Sequence, residues 1–148
     1  KSDPDEAMEF ILDLAMSKVH AESGSIFLAD LSSNELNVEA ARGPKSRELL
    51  RLNPRVGMGV GIVGYCAQET VTLAISDAQR DPRFFREISD RLGYQTKSIL
   101  CSPMTLQGRS FGCLELINKK GNSRFEEWEV AVVNYLAEQA ARYLDRVG

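Results

Sequence analysis

Residues 57–104, GMGVGIVGYCAQETVTLAISDAQRDPRFFREISDRLGYQTKSILCSPM, carry the reading on which the fold turns. They open with Gly57-Met58-Gly59-Val60-Gly61-Ile62-Val63-Gly64, a glycine-rich turn that runs into a helix expected over 61–69. A helix start has backbone N–H groups without intrahelical partners, so the amides of Ile62 and Val63 can receive an anion. Taken alone, the glycines are explained at least as well by a tight turn needing several positive-φ positions. The run also lacks the Gly-Lys-Ser/Thr ending of a nucleotide-triphosphate loop. A strand is expected over 71–75, followed by the Asp-rich turn Ser76-Asp77-Ala78-Gln79-Arg80-Asp81-Pro82. Asp81 as cap and Pro82 as first helical residue predict a helix through about Leu92, ended by Gly93. Thr96-Lys97-Ser98-Ile99-Leu100-Cys101-Ser102-Pro103-Met104 then reads as a core strand.

Working outward, residues 24–30 alternate as a strand, with Ile26 and Leu28 on one side and Ser25, Phe27 and Ala29 on the other. A hairpin at 31–35 leads to a partner strand over 36–41. A short helix over 45–52 follows Gly43-Pro44 and stops at Asn53-Pro54. Strands over 97–106 and 111–119 join through Gln107-Gly108-Arg109. In the second of these, Glu115 shares a face with Phe111, Cys113 and Ile117, so its carboxylate needs a cross-strand ion pair, a hydrogen bond or a ligand. Helices are expected over 5–20, capped around Asp3-Pro4-Asp5-Glu6, and over 125–146. Both carry more apolar surface than one sheet face requires, which predicts self-association as a homodimer through the terminal helices. Hairpins with flanking helices make an α+β layered domain with a mainly antiparallel sheet.

The 148 residues fit one domain, and 43% hydrophobic with 26% charged residues is ordinary for a soluble globular protein. A net charge of −3 argues against nucleic acid as a partner. No apolar run reaches membrane-spanning length, so no membrane partner is expected. Cys66, Cys101 and Cys113 are dispersed along the chain in apolar stretches; they read as reduced core residues in a cytoplasmic protein, with no metal-type spacing. His20 is the lone histidine, which leaves neither a zinc site nor a Cys–His nucleophile.

This order of parts, together with Asn118-Lys119, Phe125 and Glu129, resembles a GAF domain, a small sensory module of phosphodiesterases, cyclases, histidine kinases and transcription activators. The family's Asn-Lys…Phe…Asp-Glu signature is met imperfectly, with Glu129 for the Asp and Val130 where the Glu would stand. The resemblance covers nearly the whole chain and implies one domain over 1–148, cut from a larger signalling protein. It implies a six-stranded sheet with the terminal helices on one face and a lidded pocket on the other. It implies no catalytic or metal residue. It places Ser25, Arg42, Ile62, Val63, Phe85, Ser89, Thr96 and Glu115 around that pocket. A cyclic nucleotide, cyclic AMP or cyclic GMP, is the first ligand it suggests, with the phosphate at the helix start and Thr96 at a purine edge. Phe85 covers the ligand in this reading; as a core anchor it would be structural, and Thr96 could equally be a strand-entry residue. In the cyclic-nucleotide binders an aromatic residue and an Asp occupy the positions of Ala41 and Arg42. Losing the stacking ring forfeits about 1–3 kcal/mol, which Arg42 could offset by stacking or by meeting a phosphate. Lys119 and Glu129 are expected to tie strand to helix. The alternatives are a ligand-free dimerisation and relay module and, remotely, a free methionine sulfoxide reductase using its cysteines.

Overall fold

The computed structural model describes the backbone of residues 4–148 and the side chains from residue 6 onward. Six strands form one antiparallel sheet: β1 (Ala21–Asp30), β2 (Glu35–Arg42), β3 (Arg55–Gly57), β4 (Leu73–Ile75), β5 (Ile99–Leu106) and β6 (Arg109–Lys119), in spatial order β3-β2-β1-β6-β5-β4. The long central strands β1 and β6 pair with each other, and buried side chains cover both faces of the sheet's middle. On one face lie α1 (Pro4–Lys18) and α5 (Glu127–Val147); on the other lie α2 (Ser46–Leu52), α3 (Gly61–Glu69) and α4 (Glu87–Leu92).

Period-two alternation divides the side chains between two cores. Ile26, Leu100, Leu114 and Leu116 join Met8, Leu12, Val133 and Ala137 under the terminal helices. Phe27, Ile99, Cys101 and Cys113 join Ile62, Val63 and Cys66 on the opposite face. The strand alternation expected for Ile26 and Phe27 is therefore the observed one.

Alternation fails at two points: in β2, where Leu36 and Val38 face the cavity-side core but Ala40 faces the terminal helices across a slip in the β1–β2 register, and in β6. Phe111, expected beside Cys113 and Glu115, packs with the terminal-helix core instead. The β5–β6 register slips between Met104 and Thr105, and Gly112 next to Phe111 sits at φ +141°. A Cβ on Gly112 would lie 1.9 Å from the Phe27 carbonyl oxygen, so the two strands approach closely there only with glycine. The bulge turns the face over, and no local pattern announces it.

The helix expected from Pro82 is a second correction. Residues 81–86 form a turn in which Asp81 accepts from the Arg83 backbone N–H at 2.9 Å and pairs with its guanidinium at 2.7 Å. This local side-chain bonding competes with helix formation, which starts only at Glu87. β3 was not expected; it pairs Arg55–Gly57 with β2 just beyond Pro54. The expected N-terminal cap lies largely outside the described residues. At the other terminal helix, Glu126 is the N-cap, in a reciprocal capping box with Glu129.

Candidate functional site

The face opposite the terminal helices holds a cavity of about 120 Å³ between the sheet and α2, α3 and α4. All eight residues expected around a pocket line it: Ser25, Arg42, Ile62, Val63, Phe85, Ser89, Thr96 and Glu115. They come from β1, β2, α3, the turn before α4, α4 itself, the lead into β5, and β6. Most of the remaining wall is apolar, with Phe27, Val56, Phe84 and Ile99 prominent.

Polar groups stand out against that wall. Ser25 and Glu115 face each other in the β1–β6 register, and Cys101 lies across from Glu115 on β5. Glu115 is 6% exposed, and its one protein hydrogen bond among the described residues comes from the Ser25 hydroxyl at 3.5 Å, the outer limit for such a bond. Burial pushes its carboxyl up to about 8, and the nearby Cys66 thiol adds to the rise. At neutral pH the group is a protonated acid that can both donate and accept. Thr96 is 3% exposed. Its carbonyl accepts from Gln79 Nε2 at 2.8 Å, while its hydroxyl has no partner among the described residues and lines the cavity.

The start of α3 supplies the other polar end. Val60 is its N-cap and provides no capping side chain, so the first-turn amides of Gly61, Ile62 and Val63 lack a side-chain acceptor. The glycine run also has a packing reason. A Cβ on Gly64 would lie 2.4 Å from the Gly57 carbonyl oxygen, so the loop folds directly onto its own helix. The two readings of this loop describe one geometry, because the tight turn is what leaves the amides uncapped.

Arg42 behaves differently from its sequence reading. Its guanidinium is taken up by α1, with Nε 2.8 Å from Asp13 Oδ1 and Nη2 3.6 Å from Glu9. Nη1 donates to the Ala41 carbonyl. It sits at the cavity rim already neutralised. Ala41 is buried in the core of this face. Of the two phenylalanines before α4, Phe84 packs inward against that core, whereas Phe85 stays 43% exposed at the rim against Gly61. Ser89 spends its hydroxyl on the Arg86 carbonyl. Lys45, Leu49 and Tyr94 also line the cavity, and sequence reasoning missed them. Only Leu49 had a signal, as the inward member of the amphipathic pair Leu49-Leu50.

Asn118 and Lys119 lie at the end of β6, beyond the cavity. Asn118 Oδ1 accepts from the Lys97 amide at 2.6 Å and the Ser98 amide at 3.2 Å. Its Nδ2 donates to the Gln95 carbonyl at 2.8 Å and to Glu22 and Tyr94. It thereby pins the segment carrying Thr96. Lys119 Nζ lies 2.7 Å from Glu129 Oε1 and 2.7 Å from the Arg124 carbonyl, joining β6 to the start of α5. Phe125 is buried with the terminal-helix core.

The three cysteines, distant in sequence, converge in space behind α3, and all three are buried free thiols. Burial pushes the Cys101 and Cys113 thiols up, while Cys66, which both neighbours face as hydrogen-bond donors, is lowered. None of them lines the cavity. Among the described residues no His/Cys/Asp/Glu group is arranged to hold a metal ion, and no helix is long and apolar enough to cross a membrane.

Known proteins bear on this geometry at two levels. A probable 3′,5′-cyclic phosphodiesterase of Caenorhabditis elegans is 31% identical over 116 residues, which are 74% of this chain and 16% of that protein. The chain thus spans under a fifth of that relative's length. Among solved structures, the GAF domain of a phosphoenolpyruvate-protein phosphotransferase from Coxiella burnetii superposes with a TM-score of 0.87 at 21% identity, covering 99% of this chain and 85% of that one. A free methionine-R-sulfoxide reductase from Neisseria meningitidis superposes with a TM-score of 0.75 at 18% identity, covering 97% and 83%. These two likenesses speak to the fold. The GAF domain profile itself matches residues 3–144, and with that match over nearly its whole length the chain belongs to the GAF family of regulatory, small-molecule-binding domains.

Proposed function

We propose that this domain is the sensory unit of a larger signalling protein and that its ligand occupies the cavity between the sheet and α2, α3 and α4. The observation that carries the reading is a pair of buried polar groups with too few protein partners. Thr96 has an unused hydroxyl and Glu115 has one long hydrogen bond, and both line the chamber. Both groups open onto the cavity, so a ligand there can complete their hydrogen bonds, each worth about 0.5–1.5 kcal/mol net.

The ligand class we propose first is a cyclic nucleotide, cyclic AMP or cyclic GMP. The cyclic phosphodiesterase among the relatives supports it, as do the uncapped amides at the start of α3. Its phosphate would meet Ile62 and Val63, and its polar edges Thr96 and Glu115. A chamber of 120 Å³ is small beside ordinary ligand sites of about 300–1,000 Å³, so the lid must move outward. α4 has the build for that movement: it is six residues long and contributes no buried side chain. At about a hundred times its dissociation constant, a cyclic nucleotide should add about 2.7 kcal/mol of stability and about 5–10 °C to the melting temperature. Thr96→Ala and Glu115→Ala should each shrink that shift. No shift and no calorimetric heat at millimolar concentration would reject this ligand class.

A specific observation favours a second, compatible reading, in which the terminal helices self-associate and relay the signal. Phe10 on α1 is 68% exposed and Trp128 on α5 is 56% exposed, on the layer opposite the cavity. We read the domain as cytoplasmic and non-catalytic. The thiols, the obvious nucleophiles, are fully buried and do not reach the chamber. Turnover of free methionine sulfoxide by the purified domain would overturn that.

A further inference from the structure

Lys45 is a cation with nothing to hold. It lines the cavity beside Ser46 at the start of α2, half-buried, and its ammonium has neither a hydrogen bond nor an ion pair among the described residues. Arg42, the other cation at the chamber, is already bound to Asp13 and Glu9. Glu115, the acid within the chamber, makes no ion pair with Lys45, and burial pushes its carboxyl up to about 8. Of the two cations that line the chamber, Lys45 is thus the one without a carboxylate partner among the described residues.

A lysine without a carboxylate partner at the edge of an apolar chamber can make a charge-assisted hydrogen bond to a bound anion. The uncapped amides of α3 border the same chamber and also favour negative charge. The unpartnered Thr96 hydroxyl is an independent sign that the chamber is built for an occupant.

We propose that Lys45 is the charge-selecting residue of this site and that the pocket admits small anions with a compact apolar body, a phosphate monoester or diester or a carboxylate, while rejecting neutral and cationic molecules of the same shape. The inference rests on the pocket reading above and narrows it. The ligand's anionic group sits between Lys45 and the α3 amides, and its body fills the wall formed by Phe27, Val56 and Ile99. The choice of anion is left to the size of the body and the polar groups at the far end.

Three single-ring probes test this in the intact domain: phenyl phosphate, phenol and benzylamine share a ring of the size that a cavity of about 150 Å³ accepts. Binding is followed by amide chemical-shift titration, which reports Ile62, Val63 and Lys45 directly. Phenyl phosphate should bind about tenfold more tightly than phenol, and benzylamine more weakly than either. In Lys45→Met the affinity for phenyl phosphate should fall about tenfold while that for phenol stays unchanged, and Lys45→Arg should restore most of the preference. Equal binding of phenyl phosphate by wild type and Lys45→Met would overturn the assignment, as would a preference for phenol or benzylamine. Phenol binding without phenyl phosphate would sink the charge selection and leave the pocket reading standing. Failure of all three probes would remove both. Lys45-dependent binding of phenyl phosphate without any response to cyclic nucleotides would keep this inference and reject only the proposed nucleotide.

Discussion

Glu115 and Glu129 are buried to nearly the same depth, 6% and 4% exposed, on opposite sides of the same sheet, and their surroundings differ in kind. Glu129 faces the Lys119 ammonium at 2.7 Å and accepts the Glu126 amide at 2.6 Å. Its charge is compensated and its geometry fixes the first turn of α5. Glu115 has a hydroxyl at 3.5 Å, a wall of apolar side chains and a chamber in front of it. One carboxylate ties strand to helix, its Oε1 held by both an ammonium and a backbone amide. The other faces the cavity with a single long hydrogen bond, and a ligand is what we propose completes it. The same contrast runs through the two cores, one close-packed beneath α1 and α5, the other interrupted by a cavity.

The contrast breaks most visibly at Glu129. Lys119→Met leaves Glu129 buried without its cation, and loss of one partner from such a pair costs about 3–5 kcal/mol. In urea the unfolding midpoint should drop sharply without a change of slope. A loss under about 1 kcal/mol would mean that Glu129 reaches solvent and that the pair behaves like an exposed one.

Glu115 should show itself through pH. The Glu115 carboxyl titrates near 4.5 in the unfolded chain and at about 8 in the fold. Between those values the unfolded chain releases a proton that the folded chain keeps. This contribution to stability is therefore whole below pH 4.5, is lost as pH rises toward 8, and changes no further above. The slope should be on the order of 1 kcal/mol per pH unit at most. Glu115→Gln, which keeps the shape and cannot ionise, should flatten this slope and be the more stable protein at pH 8. Identical pH profiles for the two would show that Glu115 is ionised in the fold, and the comparison with Glu129 would collapse.

These two glutamates also mark where the chain could be read and where it could not. Glu115 was legible because a carboxylate at alternating spacing among Cys113 and Ile117 is out of place on a strand. Glu129 and Lys119 were legible through the family resemblance alone, since their partnership crosses from strand to helix and leaves no period. Phe111 was misread because a bulge at Gly112 has no signature beyond the glycine itself. Residues 82–86 were misread because Asp81 spends its carboxylate on Arg83 rather than on a helix start. Arg42 was placed at the pocket without its guanidinium's true partners, because Asp13 lies 29 positions earlier and only tertiary packing brings it there. Lys45 escaped notice for the same reason: an unpaired lysine is invisible until the groups that fail to reach it are known.

A smaller effect sharpens the comparison at the thiols, which are buried between α3 and the sheet and do not line the chamber. Cys66→Ala and Cys101→Ala should each cost about 1–2 kcal/mol through lost packing. Neither should alter the affinity for phenyl phosphate or for a cyclic nucleotide. Lost affinity with an unchanged melting temperature would move these residues from the packed layer to the binding layer.

The smallest effect on stability belongs to the outer face of the terminal helices, and its smallness is the test. Phe10 and Trp128 are largely exposed, so Phe10→Ser and Trp128→Ser should each change the stability of an isolated domain by no more than about 0.5 kcal/mol. In a dimer built through α1 and α5 the same side chains would lie in a buried interface, where aromatic anchors carry about 2 kcal/mol or more. Light scattering at tens of micromolar should therefore show wild-type dimers and double-variant monomers, with melting temperatures that depend on concentration only for the wild type. Monomers in both would leave these aromatics as exposed side chains and reject self-association through α1 and α5. The close-packed side of the sheet would then end at α1 and α5, and the one surface poised to change with ligand would be the lid.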